Sequence, residues 1–331
     1  MDSTGSRLGL SLGIIALAAP IVALGLFIGS FAVAATGAAA SSPLSGLSFY
    51  TDPDSTATVA AASAAAADPD SAAAATLARL AEQPSAIWLL PEAYPLDTVQ
   101  ADVTAIADAA EAVGQTPVFV VYGIPDRDCG NFSAGGLSET DYPTWVSSIA
   151  AALTLRASVV ILEPDALSLA TQCGNVDQRL AQIQQGVASF APTIATVYLD
   201  AGHSDWLSPA TAADLLNRAG VAQVRGFATN VSNYNDSAAE QAFGEAVSAL
   251  TDGAHFVVDT SRNGRGGTGE WCNPAGQALG GIPEATTDGG ARDANLWVKE
   301  PGESDGTCNG GPAAGQWWNE RALELAAAAG W

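Results

Sequence analysis

Val118-Phe-Val-Val-Tyr-Gly-Ile-Pro-Asp-Arg-Asp-Cys129 is a run of β-branched and aromatic residues, broken by Gly and Pro and followed at once by carboxylates. An apolar run of that length without alternation reads as a strand covered on both faces, the environment of a parallel sheet between helices. The same pattern recurs at Val159-Val-Ile-Leu-Glu-Pro-Asp165. Seven runs read as strands: residues 86–90, 118–122, 159–162, 196–199, 226–229, 256–258 and 296–298. Helical patterns fill 96–113, 145–155, 176–190, 210–218 and 237–251, and an Ala-rich helical region at 57–83 is interrupted at Pro69. This alternation predicts an α/β fold, a single distorted TIM-like barrel with about seven parallel strands, ahead of an open doubly wound sheet. Side chains just past the strands then gather at the carboxyl edge, where such folds keep their chemistry.

Of 331 residues, 48% are hydrophobic and 14% charged, which is ample for a core. Thirty-five acidic residues against 12 basic ones leave a net charge of -23, which repels nucleic acid and anionic membrane surfaces. A neutral partner and a monomeric chain are expected. Residues 8–50 carry no charge, and 8–35 are rich in Leu, Ile, Val and Ala behind Arg7, with Ala32-Val33-Ala34 near the end. Residues 1–36 therefore read as a signal peptide or an N-terminal membrane anchor, with Pro20 and the small-residue site favouring cleavage. Residues 37–45 read as a small-residue spacer and 46–331 as one folded domain. Arg7 stays on the cytoplasmic side, so the domain faces outside, and membrane contact is expected only if the leader is retained.

In that compartment Cys129, Cys173, Cys272 and Cys308, too widely spaced for a paired-ligand zinc motif, are expected to form two disulfides, with free buried thiols as the alternative. Of three connectivities, Cys129 with Cys173 and Cys272 with Cys308 is favoured, because each ties together loops after neighbouring strands. Two histidines, His203 and His255, are too few for a histidine-rich metal site. The glycine pattern Gly264-Arg-Gly-Gly-Thr-Gly269 is followed by Glu270-Trp-Cys-Asn-Pro274, which cannot open the helix that a pyrophosphate needs. No cofactor or metal is expected, with a calcium site made from carboxylates as the alternative.

Carboxylate chemistry on a neutral substrate remains. Glycosidic hydrolysis needs one carboxylic acid to protonate the leaving oxygen and a second group to help water attack. Asp165 with Asp128 nearby suits the acid, since a neighbouring carboxylate helps it hold its proton. The plain alternatives are that Asp128 pairs with Arg127 and that Asp165 caps the helix beginning at Ala166.

Tyr122 with Pro125-Asp-Arg-Asp-Cys129, Leu162-Glu-Pro-Asp165, Tyr198-Leu-Asp-Ala-Gly-His203, Ala228-Thr-Asn230 and Trp297-Val-Lys299 through Gly302-Glu-Ser-Asp305 occur in an order that resembles glycoside hydrolase family 6, from Gly46 onward. The resemblance implies a distorted parallel barrel, two disulfides and inverting hydrolysis of β-1,4-glucosidic bonds. By motif position Asp165 resembles the general acid and Asp128 its partner. Tyr122 resembles the tyrosine that crowds the sugar being cleaved, and Asp200 a supporting carboxylate. Asp305 resembles a candidate base, with a water chain through Ser133 and Asp128 as the other route. His203, Asn230, Lys299 and Glu303 match sugar-binding positions, and Arg262 a residue that organises charge among them.

A glucose ring has an apolar face and a belt of hydroxyls, so clefts stack it on tryptophan. Trp88, Trp206 and Trp271 resemble the family's platforms, while Pro209 stands where some relatives carry a further tryptophan. The short, mostly helical stretch between Asp165 and Thr196 leaves little for loops that roof a cleft. An open cleft and internal cutting of cellulose or soluble β-glucan are expected. Chain-end action, mixed-linkage glucan, a metal-dependent hydrolase and a non-catalytic carbohydrate-binding role are the alternatives.

Overall fold

The computed structural model describes residues 42–331, and the leader expected at 1–36 lies outside them. Two helices come first, α1 (Thr56–Ala67) and α2 (Ala72–Ala81), each opened by a serine whose hydroxyl accepts a first-turn N–H. Then β1 (Ile87–Leu89), α3 (Val99–Ala112), β2 (Val118–Val121), α4 (Tyr142–Ala152), β3 (Val159–Leu162), α5 (Ala166–Cys173), α6 (Val176–Phe190), β4 (Thr196–Asp200), α7 (Pro209–Ala219), β5 (Gly226–Thr229), α8 (Ser237–Leu250) and β6 (His255–Asp259) alternate. The short β7 (Glu284–Ala285), β8 (Arg292–Leu296) and α9 (Asn319–Ala328) close the order.

The strands form one sheet in the order β1-β2-β3-β4-β5-β6-β8-β7. Every pair is parallel except β7 with β8. Across from β1, the Ala86 N–H donates to the Trp297 carbonyl (2.9 Å) and the Trp88 indole N–H to the Val298 carbonyl (2.8 Å). These bonds link the start of the sheet to the segment after β8. The distorted, TIM-like α/β architecture expected from the sequence is the observed one, with seven parallel strands.

The reason for the unalternating runs is visible in the core. Val118, Val120 and Tyr122 face an inner cluster with Val159, Ile161, Tyr198 and Val257, while Phe119, Val121, Val160 and Leu162 face the helix layer. Both faces of β2 and β3 are therefore dry. A third cluster joins α1, α2 and α9 through Ala61, Leu77, Leu80, Trp297 and Leu325.

The last strand departs from the reading. It spans Arg292–Leu296 rather than 296–298. Charged residues at its start hid it: Asp293 is fully buried, accepting from Arg225 Nε (2.7 Å), Arg225 Nη2 (2.9 Å) and the Tyr198 hydroxyl (2.7 Å), with His255 Nδ1 at 3.1 Å. A paired carboxylate is tolerated inside where a lone one is not. The two-residue β7 is too short to leave a periodic signal.

Candidate active site

Past the carboxyl ends of the strands lies a cleft of ≈620 Å³. Trp88, Tyr122, Asp128, Ser133, Asp165, His203, Trp206, Trp271, Lys299, Glu303 and Asp305 line it. Asp200, Asn230 and Arg262 sit behind its walls, each almost wholly buried.

The first wall is built on the Glu163-Pro164-Asp165 turn after β3. Glu163 and Asp165 both hold left-handed backbone, at φ 51° and 66°. For residues with a side chain this conformation costs on the order of 1 kcal/mol or more, and such strain concentrates at functional sites. Glu163 is buried and accepts the N–H groups of Gly123 and Ile124 (3.1 Å each), which ties the end of β3 to the loop after β2. Asp165 stands at the start of α5 without making a side-chain cap, so its carboxyl is free for the cleft. Its N–H donates instead to Asp200 Oδ1 (2.9 Å), which also accepts from the Gly202 N–H (3.0 Å). Asp200 Oδ2 is buried with no partner.

Asp128 is not paired with Arg127. That guanidinium turns away, donating to the carbonyls of Ser133 (2.7 Å) and Tyr122 (2.8 Å) and bridging Glu92 (3.1 Å). Asp128 accepts the Ser133 N–H (2.9 Å). Burial, then the charges of Asp200 and Asp128, push the Asp165 carboxyl well above the usual range. Burial likewise pushes Asp200 up to about 7, against the two N–H groups that favour its anion. Tyr122 is raised by burial and by Asp165 and Asp128, so its phenol keeps its proton.

The facing wall carries the opposite electrostatics. Asp305 Oδ1 is paired with the buried Arg262 (2.8 Å). Its Oδ2 accepts from the Tyr234 hydroxyl and the Asn273 N–H (2.9 Å each). Burial alone would raise this carboxyl, but Arg262 and Lys299 outweigh it and hold it below the ordinary range. Lys299 reaches Glu303 (3.1 Å).

Aromatic rings punctuate the cleft. Trp88 meets Tyr122 edge to face at 5.2 Å, His203 lies 5.4 Å from Trp206, and Trp271 packs on Phe132 at 5.7 Å. Trp271 and Phe132 each remain 50% exposed. Burial pushes the His203 imidazole down, which favours its neutral form. Cys129, next to Asp128, is bonded to Cys173 at the end of α5, and Cys272, next to Trp271, to Cys308.

One expectation needs correction. Asn230 does not face the cleft: its amide donates to the Asn235 (3.2 Å) and Asp259 (2.9 Å) carbonyls and accepts the Asn235 N–H (3.1 Å), so it braces the loop after β5. Arg262, expected to organise charge, is enclosed against Asp305, the Ser232 carbonyl and the Tyr234 ring and does not line the cleft. Phe132 and Gln172 line the cleft without having been singled out. An aromatic three residues beyond a cysteine-anchored motif was a usable signal for the first; Gln172 left none.

The model of glycosyl hydrolases family 6 matches residues 44–329. The chain belongs to this family. It is 48% identical over 257 residues to endoglucanase A of Cellulomonas fimi, covering 78% of this chain and 57% of that protein, so it spans a little over half of that relative's length. It is 40% identical to endoglucanase 1 of Streptomyces halstedii, over 84% of this chain and 88% of that one. Among solved structures it is similar to the endoglucanase Cel6 from Mycobacterium tuberculosis in complex with methyl-cellobiosyl-4-deoxy-4-thio-β-D-cellobioside, at TM-score 0.83 and 44% identity, covering 88% of this chain and all of that one. This family-6 chain thus has, past the carboxyl ends of its strands, a cleft lined by a carboxyl whose proton affinity is raised by burial and by neighbouring acids.

Proposed function

We propose that this family-6 hydrolase cuts internal β-1,4-glucosidic bonds of cellulose and soluble β-glucans with inversion. Asp165 is the general acid, and its support is a single observation: a cleft-lining carboxyl, free of any cap or cation, whose proton affinity is raised by burial and by Asp200 and Asp128. An acid catalyst works best when its pKa lies near the working pH, and neighbouring charge is the usual means.

Asp128 is the partner that takes part in proton movement. The bond from the Ser133 N–H supports a route in which water beside Ser133 passes its proton to Asp128. Asp305 is a fixed anion in this reading: with both oxygens engaged and its charge held by Arg262, it is a poor base but a good stabiliser of positive charge growing on the sugar ring. Tyr122 crowds the ring being cleaved. Trp88, His203, Trp206, Trp271, Lys299 and Glu303 hold the flanking sugars.

Internal cutting is supported by the half-exposed Trp271 and Phe132, rings that a roofed tunnel would cover. Export is supported by the uncharged stretch behind Arg7 and by the two disulfides. Among the described residues no helix is long and apolar enough to cross a membrane. The deciding experiment is product analysis on cellohexaose with proton NMR of the first anomer. Internal products in the α-configuration are expected; β-anomer appearing first rejects inversion, and cellobiose released only from an end rejects internal cutting.

A further inference from the structure

We propose that the cleft continues past Trp88 into an additional glucosyl-binding subsite, walled by the residue 52–56 segment and by Gln83 and Ser85. The proposal rests on the hydrolase reading above and extends it by one sugar beyond Trp88.

A second cavity, of ≈240 Å³, adjoins the cleft, and the two share Trp88, Leu90, Glu303 and Gly315 as walls. Beyond them the second cavity has Asp52, Asp54, Thr56, Gln83, Tyr94 and Glu300. Carboxylates, an amide and hydroxyls line it, with no Lys or Arg, which suits the donating hydroxyls of a neutral pyranose. The rings of Trp88 and Tyr94 supply the apolar surface that a sugar face needs.

The walls are held in place before any ligand arrives. Thr56 Oγ1 donates to Glu303 Oε1 (3.0 Å), while Glu303 Oε2 takes Lys299 (3.1 Å), so one carboxylate braces both cavities. The Ala57 N–H donates to the buried Glu300 (2.9 Å), which fixes the start of α1 against the segment after β8. The indole N–H of Trp88 is committed to Val298, so the ring shared by both cavities is locked in position. Gln83 Nε2 makes only a long bond to the Arg79 carbonyl (3.4 Å), which leaves its amide available. Order along the cleft follows from contact: Tyr122 touches Trp88, so Trp88 belongs to the sugar next to the one being cleaved, and this cavity to the sugar beyond that.

The test is digestion of cellotetraose and of cellopentaose deuterated at the reducing-end carbon, by the exported full domain and by its Asp54→Ala/Gln83→Ala variant. Both substituted residues lie outside the catalytic machinery, at the cavity rim. The unsubstituted protein should release cellotriose chiefly without deuterium, because the third sugar sits in the added subsite. The variant should lose about fivefold in kcat/KM on cellopentaose, as expected for removing one or two sugar hydrogen bonds, shift cellotriose toward the deuterated form, and keep cellotetraose rates within about twofold. Deuterated cellotriose from the unsubstituted protein, or an unchanged partition in the variant, overturns the subsite while leaving the hydrolase reading intact. Failure to cleave either oligosaccharide overturns the hydrolase reading itself and the subsite with it.

Discussion

The two walls of the cleft use the same side chain to opposite ends. On one, Asp165 and Asp200 are crowded by acid and receive no cation, and both are pushed upward. On the other, Asp305 is just as enclosed but is gripped by Arg262 with Lys299 nearby, and it is held down. Burial acts alike on both, so the difference comes from the partner. Under the proposed roles, the proton-giving carboxyl is the one without a cation and the carboxyl that stays negative is the one that has one.

The largest expected effect comes from removing the donor itself. Asp165→Ala should lower turnover on cellulose by about 10³-fold, in the range of general acid catalysis, while substrates whose leaving group needs no proton are largely spared. Equal losses on both substrate kinds, measured as kcat/KM, would erase the functional difference between the walls.

Each wall also has its own disulfide, closing sequence separations of 44 and 36 residues. Replacing either pair with serines should cost about 3 to 4 kcal/mol by chain entropy, read from urea unfolding. The activity should separate them. Losing Cys129–Cys173 loosens the Asp128 loop and should depress kcat, whereas losing Cys272–Cys308 frees the loop carrying Trp271 and should raise KM.

Arg262→Met tests the paired wall. It leaves Asp305 buried without its cation, for which roughly 3 kcal/mol of destabilisation is expected. Arg262→Met combined with Asp305→Asn should recover much of that stability without recovering activity. A stable single variant would mean that the ion pair is not what holds Asp305 down.

The smallest effect is on pH dependence. Removing the Asp200 charge with Asp200→Asn should let Asp165 lose its proton more easily, moving the alkaline limb of kcat/KM down by roughly one unit. Stability has a definite sign here. A folded value of about 7 for Asp200, above an unfolded value of about 3.9, means its contribution is complete at acid pH and fades as pH rises through about 7. Asp305 behaves in reverse, its contribution complete above about 3.9 and lost as pH falls through its lowered folded value. Thermal unfolding from pH 3 to 9 should therefore show the Asn variant declining less on the alkaline side, with its acid side unchanged.

Much of this architecture was legible in the chain. Runs such as Val159–Leu162 name their own strands because both faces must be dry, and the carboxylates that follow them fall at the cleft by construction. Arg292–Leu296 was missed because its charge is cancelled by Arg225, a residue on a different strand connection. Asn230 was misread for a related reason: beside a strand end, a side chain that braces a loop and one that meets a ligand look identical in sequence, and only hydrogen-bond partners separate them. Phe132 joined the cleft because it packs on Trp271, far along the chain.

Local order alone determined the alternating fold, the export-type leader pattern and the placement of acids after β2, β3 and β4, since hydrophobic period and turn chemistry act over neighbouring residues. Which of those acids keeps its proton was decided by the folded molecule. Proton affinity depends on through-space distance and water access, and the groups that set it here come from separate loops: Asp200 for Asp165, and Arg262 for Asp305.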